Sequence, residues 1–119
     1  MTANEVAAEF TRLCKEGRFE EAGQRFWTED VVSREAMEGD MAVARGRAAV
    51  EGKSAWWYAN HEVHGVAVEG PYVNGDAFIL RFAMDFTQKA SGQRMQMTET
   101  ALYTVRDGMV VEERFFYGT

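Results

Sequence analysis

Residues 77–105 read AFILRFAMDFTQ, then KASG, then QRMQMTETALYTV, and their alternation decides the fold. In the first block Phe78, Leu80, Phe82, Met84 and Phe86 fall on one face. Ile79, Arg81, Ala83, Asp85 and Thr87 fall on the other. A period of two marks a half-buried strand. If Gln88 faces Gln93 across the turn, then Met84 faces Met97, Phe82 faces Glu99, Leu80 faces Ala101 and Phe78 faces Tyr103. That register gathers the large apolar groups on one face and leaves Arg94, Gln96, Thr98, Thr100 and Thr104 on the other. It also sets Glu99 on a wall of Phe and Met, where a lone carboxylate is costly unless paired or protonated.

Working outward, Arg106-Asp107-Gly108 is a hairpin signal. A three-residue loop there pairs Val105 with Met109, sets Glu113 opposite Ala101 and Phe115 opposite Glu99, and points Met109, Val111, Phe115 and Tyr117 inward. A two-residue loop would turn Val110, Glu112, Arg114 and Phe116 inward instead. Upstream, Thr2 and Glu5 form a capping box for a first helix with Val6, Phe10, Leu13 and Cys14 on its apolar stripe, and Gly17 stops it. A second helix is expected over residues 19–27, a short strand over 31–35, a third helix over 47–61 and a strand over 63–69. The segment GPYVNGD, residues 70–76, reads as the turn back. Helices first and a meander after them give an α+β fold. Three N-terminal helices pack on a strongly curved, mainly antiparallel sheet and enclose an apolar pocket.

The chain has 119 residues and reads as one domain, residues 1–119. Its formal charge of −6 is spread along the sequence. That disfavours a nucleic-acid partner, which needs clustered Lys and Arg, and equally an anionic membrane surface. The N-terminus has neither the basic flank nor the apolar core of a signal peptide, and no run reaches membrane-spanning length. The single cysteine, Cys14, excludes an internal disulfide and suits a reducing, cytoplasmic compartment.

The order of helix, EGRFEEA, FWTEDVVSREAM, ARGRAAVEGKSAWW, NHEVHGVAVEGPYVNGD and the closing YTVRDGMVVEERFFY resembles the nuclear transport factor 2-like superfamily. Within it the chain is similar to SnoaL-like domains, over essentially its whole length. The resemblance implies a cone-shaped α+β barrel of the cystatin-like kind with a deep apolar pocket, and a homodimer. It also implies a choice of activities: polyketide cyclases, ketosteroid isomerases, a dehydratase, an epoxide hydrolase and noncatalytic binding domains share the fold. By the same resemblance, Glu35 stands where ketosteroid isomerases carry their general base. Glu99 stands near their protonated carboxylic acid donor. Phe10 replaces their oxyanion-binding tyrosine, and Phe115 falls where limonene epoxide hydrolase has its catalytic aspartate.

The candidate catalytic residues are therefore Glu99, Glu35, Glu113 and His64. An apolar site raises a carboxyl pKa toward neutrality, and histidine is the natural proton carrier there. His64 is preferred over His61 because it shares a face with Val66 and Val68. Trp56, Trp57, Phe82, Met84, Met97 and Phe115 are the expected pocket walls. No HExxH, Cys/His cluster or phosphate loop occurs, so neither metal nor cofactor is expected. The expected partner is a small apolar, cyclic or polyketide-like molecule, acted on by acid–base chemistry or merely bound. A second copy is expected to dock on the outer sheet face, where Ile79, Ala83, Leu102 and Phe116 form an apolar strip within a polar rim.

Overall fold

A computed structural model describes residues 1–118. Helix α1 (Ala3–Lys15) is capped as its sequence dictates. The Thr2 hydroxyl accepts the Glu5 N–H, and the Glu5 carboxylate accepts the Thr2 N–H. Its stripe of Val6, Phe10, Leu13 and Cys14 is buried. Gly17 ends it with φ of 78°. Helix α2 (Phe19–Phe26) runs directly into strand β1 (Trp27–Arg34), which begins earlier than the strand expected over residues 31–35. The Trp27 ring lies over Gly23, where a side-chain carbon would come within 2.4 Å of the indole. That lack of a side chain lets the chain fold back on itself at this point.

Strand β2 (Val43–Arg45) and helix α3 (Arg47–Asn60) follow. Then come β3 (His61–Asn74), β4 (Ala77–Gln88), β5 (Gln93–Arg106) and β6 (Met109–Phe116). The six strands form one open sheet in the order β2-β1-β6-β5-β4-β3. All pairs are antiparallel except β1 with β6, which is parallel. Helix α1 packs on β3, β4 and β5, while α3 touches β1 and β2 near one edge and β3 at the other. The helices thus cover one face, and the apolar core of Phe10, Phe26, Phe78, Leu80, Phe82 and Tyr103 lies beneath them. The β4–β5 pairing is the expected one, residue for residue, with Phe82 opposite Glu99 and Met84 opposite Met97.

Two strands depart from their sequence reading for one reason, an extra residue in the ladder. In β6 the turn is the two-residue Asp107-Gly108, both with positive φ, pairing Arg106 with Met109. Val105 then pairs with Val110, but Thr104 pairs with Glu112, so Val111 bulges. The bulge flips the alternation. Val110 points inward before it, and Glu113 and Phe115 point inward after it, opposite Tyr103 and Ala101. The expected partners of Glu113 and Phe115 are each displaced by one inward position.

In β3, Val63 pairs with Phe86 and Gly65 with Asp85, leaving His64 as the bulged residue. Of the segment at 70–76, only Gly75-Asp76 makes the turn, and the rest extends β3. Gly70, with φ of 119°, and the cis-linked Pro71 form a second bulge, after which Tyr72 and Val73 pair with Ile79 and Phe78.

Candidate functional site

The inner face of β1 alternates Val31 and Ser33, with Glu35 next in phase, and both Val31 and Ser33 are fully buried. Opposite them α3 presents Val50, Lys53 and Trp57, which share one helical face at spacings of three and four. The side chains of Trp27, Ser33, Glu35, Lys53, Glu113 and Tyr117 make a continuous hydrogen-bonded chain. The Trp27 indole N–H donates to Glu113 Oε1 at 2.8 Å, and the Ser33 hydroxyl donates to Glu113 Oε2 at 2.8 Å. Lys53 Nζ donates to Ser33 Oγ and, at 2.8 Å, to Glu35 Oε1. The Tyr117 hydroxyl donates to Glu35 Oε2 at 3.0 Å. The Lys53 ammonium also sits 5.2 Å above the Phe115 ring. The buried members of this network, Trp27, Ser33 and Glu113, each have a partner, which makes such a network stable.

Glu99 stands beside this chain and outside it. Among the described residues its carboxylate has neither a hydrogen-bond donor nor an ion-pair partner. Burial pushes its pKa up to about 7, the charges of Glu35 and Glu113 push the same way, and Lys53 pulls against them. Glu113 is only 5% exposed. Burial raises its pKa too, opposed by the bonds from Ser33 and Trp27 and by the Lys53 charge.

The structure brings three of the four expected ionisable groups together, namely Glu35, Glu99 and Glu113. His64 is not among them. As the bulged residue it turns to the outer face, is exposed, and bonds Thr87 Oγ1 at 2.7 Å. His61 is the histidine that turns inward. Its ring stacks on Trp57 at 4.4 Å and meets Phe86 edge-on, and its Nδ1 lies 2.7 Å from the Trp57 carbonyl. Trp57 is the half-buried tryptophan, whereas Trp56 is 56% exposed. Phe10 belongs to the core, its ring tilted against that of Tyr103 with centroids 4.6 Å apart.

Ser33, Lys53, Trp27 and Tyr117 complete the network, and none of them stands among the sequence-derived candidates. Two signals point to them. Ser33 lies in phase with Val31 and Glu35, and Lys53 lies in phase with Val50 and Trp57.

Of the expected walls, Met84 and Met97 border one hollow, and Trp56, Trp57, Phe82 and Phe115 line neither it nor the second. An open cleft of about 630 Å³ runs between the α1–α2 turn and β3, lined by Phe19, Tyr58, Val63 and Val66 among others. Phe19 meets Phe82 edge-on at 6.0 Å, and Phe82 is the strand partner of Glu99. Burial drives the Tyr58 phenol up to about 12, and the Glu20, Cys14 and Glu99 charges add to this. Met84 and Met97 instead border a shallow hollow of about 480 Å³ with Gly65, Ala83, Asp85, Gln96 and Thr98. Most of that lining belongs to the outer face. Among the described residues no three His, Cys, Asp or Glu side chains converge in metal-binding geometry.

The family model for the SnoaL-like domain matches residues 1–117. A protein of Mesorhizobium loti, provisionally named a SnoaL-like polyketide cyclase, is 54% identical and superposes with a TM-score of 0.95. The match covers 98% of this chain and 100% of that one. A provisionally named isomerase of Bacillus subtilis superposes with a TM-score of 0.81 at 21% identity, over 99% of this chain and 90% of its own. A provisionally named SnoaL-like polyketide cyclase of Jannaschia sp. CCS1 gives 0.74 at 22% identity, over 93% and 86%. The last two likenesses are of fold alone. No curated protein matches the chain.

Proposed function

The chain belongs to the SnoaL-like domain family, and from that premise we propose that it moves protons on a small, largely apolar molecule. The substrate class is cyclic or polyketide-like, and the chemistry is of the isomerase or cyclase kind. One observation carries this reading. Among the described residues Glu99 is the single member of the carboxylate group without a partner, held near pH 7 beside a lysine already fixed on two sides. A group poised near the working pH is the efficient proton carrier.

Lys53 has three donors, and Ser33 and Glu35 take two of them. The third is the donor for a ligand oxygen. For a ketone, the Glu99 carboxylate takes the proton from the carbon next to the carbonyl. The C–H electron pair moves toward the oxygen, and Lys53 steadies the enolate charge that forms there. The protonated Glu99 then returns its proton to the same or another carbon. Glu35 and Tyr117 orient the lysine from behind. Trp57, Phe82 and Phe115 supply the apolar walls, and the cleft beside Phe19 and Tyr58 is the route in.

The test is exchange of the α-protons of a cyclic ketone into D2O, followed by NMR with and without protein. The protein should accelerate exchange, more strongly as pH rises through about 7 and Glu99 ionises. Glu99→Gln should abolish the acceleration and keep ketone binding. Binding without acceleration in either protein would make this a noncatalytic binding domain, the second reading the family permits.

The same reading includes a homodimer through the outer sheet face and a cytoplasmic setting. Ile79 and Phe116 are exposed on that face, Phe116 by 48%, and the shallow hollow floored by Gly65 and Ala83 lies on it too. Among the described residues no helix is long and apolar enough to cross a membrane. The buried Cys14 thiol is pushed up to about 12 by its surroundings, so it is inert packing.

A further inference from the structure

We propose that Glu113 is a positioning residue that aims the Lys53 ammonium by fixing which way the Ser33 hydroxyl proton points. The inference rests on Lys53 as the donor that faces the ligand, and it reassigns a carboxylate that the sequence suggests as catalytic.

Hydrogen-bond directions along the chain are forced by the residue types. An indole N–H and an ammonium only donate, and a carboxylate only accepts. Trp27 therefore donates to Glu113 Oε1, and Lys53 donates to Ser33 and to Glu35. Ser33 has one proton. Because Lys53 brings only donors, that proton must point away from it, to Glu113 Oε2. The Ser33 lone pairs are then left for Lys53. Glu113 is nearly inaccessible and Ser33 is fully buried, so neither reaches a ligand. Their effect travels through Lys53. The support extends one step further, because the Trp27 ring occupies the space that a side chain at position 23 would fill.

A glutamine at 113 has the same shape but only one accepting atom. Trp27 demands that acceptor, so the amide NH2 must face Ser33 and donate to it. The Ser33 oxygen then faces two donors, the amide and Lys53, while its own proton has lost its acceptor in a fully buried site, and the seat of the lysine is weakened. Removing the Trp27 donor reverses this. In Trp27→Phe/Glu113→Gln the amide can rotate, present its carbonyl to Ser33 and restore the original direction.

The readout is the Lys53 side-chain 15N signal in the ligand-free protein. An ammonium held by Ser33 and Glu35 exchanges its protons slowly and gives a cross-peak at neutral pH. Glu113→Gln should lose this peak, and Trp27→Phe/Glu113→Gln should regain at least half its intensity. A purely structural role predicts the opposite order, since the double variant removes more contacts. Retention of the peak in Glu113→Gln overturns the proposal. So does its absence in a double variant with a native amide spectrum. Ser33→Ala cuts the same link directly and serves if either of those variants does not fold; a retained Lys53 peak there also overturns it. Because no ligand is used, this outcome is independent of the ketone exchange experiment.

Discussion

Glu99 ionises inside the fold with no donor among the described residues to receive it, and this has a thermodynamic signature. Its carboxyl titrates at about 7 in the folded protein against an ordinary 4.5. Below pH 4.5 it is protonated in both states and costs nothing. Between 4.5 and 7 the unfolded chain ionises first, so stability falls as pH rises, and above 7 the penalty is constant. The full penalty is on the order of 2–3 kcal/mol after discounting for partial exposure. Glu99→Gln keeps the shape and removes the titration. Urea unfolding should show the variant more stable than the parent at pH 8 by about 2–3 kcal/mol, with the difference vanishing toward pH 4. A difference that stays flat with pH would mean the carboxylate is solvated. Glu99 was legible because an unbroken alternation on β4 and β5 set its partner. Lys53 was not, because a lysine on an amphipathic helix reads as surface, and only its phase with Val50 and Trp57 betrays it.

At the scale of elements, the pairing of β4 with β5 could be read directly because neither strand carries an extra residue. The two strands that flank them do, and a bulge leaves no mark in composition. One inserted residue moved His64 to the outer face, and another returned Glu113 to the inner one. The second bulge of β3 makes a specific demand. Gly70 has φ of 119°, and an added side-chain carbon would lie 2.8 Å from the Ile79 carbonyl oxygen and 2.9 Å from Leu80. Gly65, at the first bulge, has open space and ordinary backbone geometry. Gly70→Ala should therefore destabilise the protein by about 2–4 kcal/mol, from backbone strain plus overlap. Gly65→Ala should stay within about 0.5 kcal/mol of the parent. Paired denaturation curves check both; equal losses would remove the distinction between the two bulges.

For the whole molecule, helices cover one side of the sheet and leave the other bare. The inward turn of Glu113 places Phe116 outward beside Leu102 and Ile79, and the hollow over Gly65 and Ala83 lies next to this ridge. A knob and a socket on one face suit a two-fold pairing of identical surfaces. Light scattering at micromolar concentration should give twice the 13.5 kDa chain mass. Phe116→Glu should halve the observed mass, whereas a monomer in both measurements defeats the proposal. The one parallel pairing in the sheet joins β1 to β6, and the Trp27–Glu113 bond spans 86 positions of the chain. On the ribosome, Trp27, Ser33, Glu35 and Lys53 emerge long before the strand that completes them. Until Glu113 and Tyr117 follow, the early residues have an apolar face without its cover and polar groups without their partners. The nascent chain can cap its first helix as soon as that helix has emerged, but its chemistry has to wait for the strand that carries Glu113.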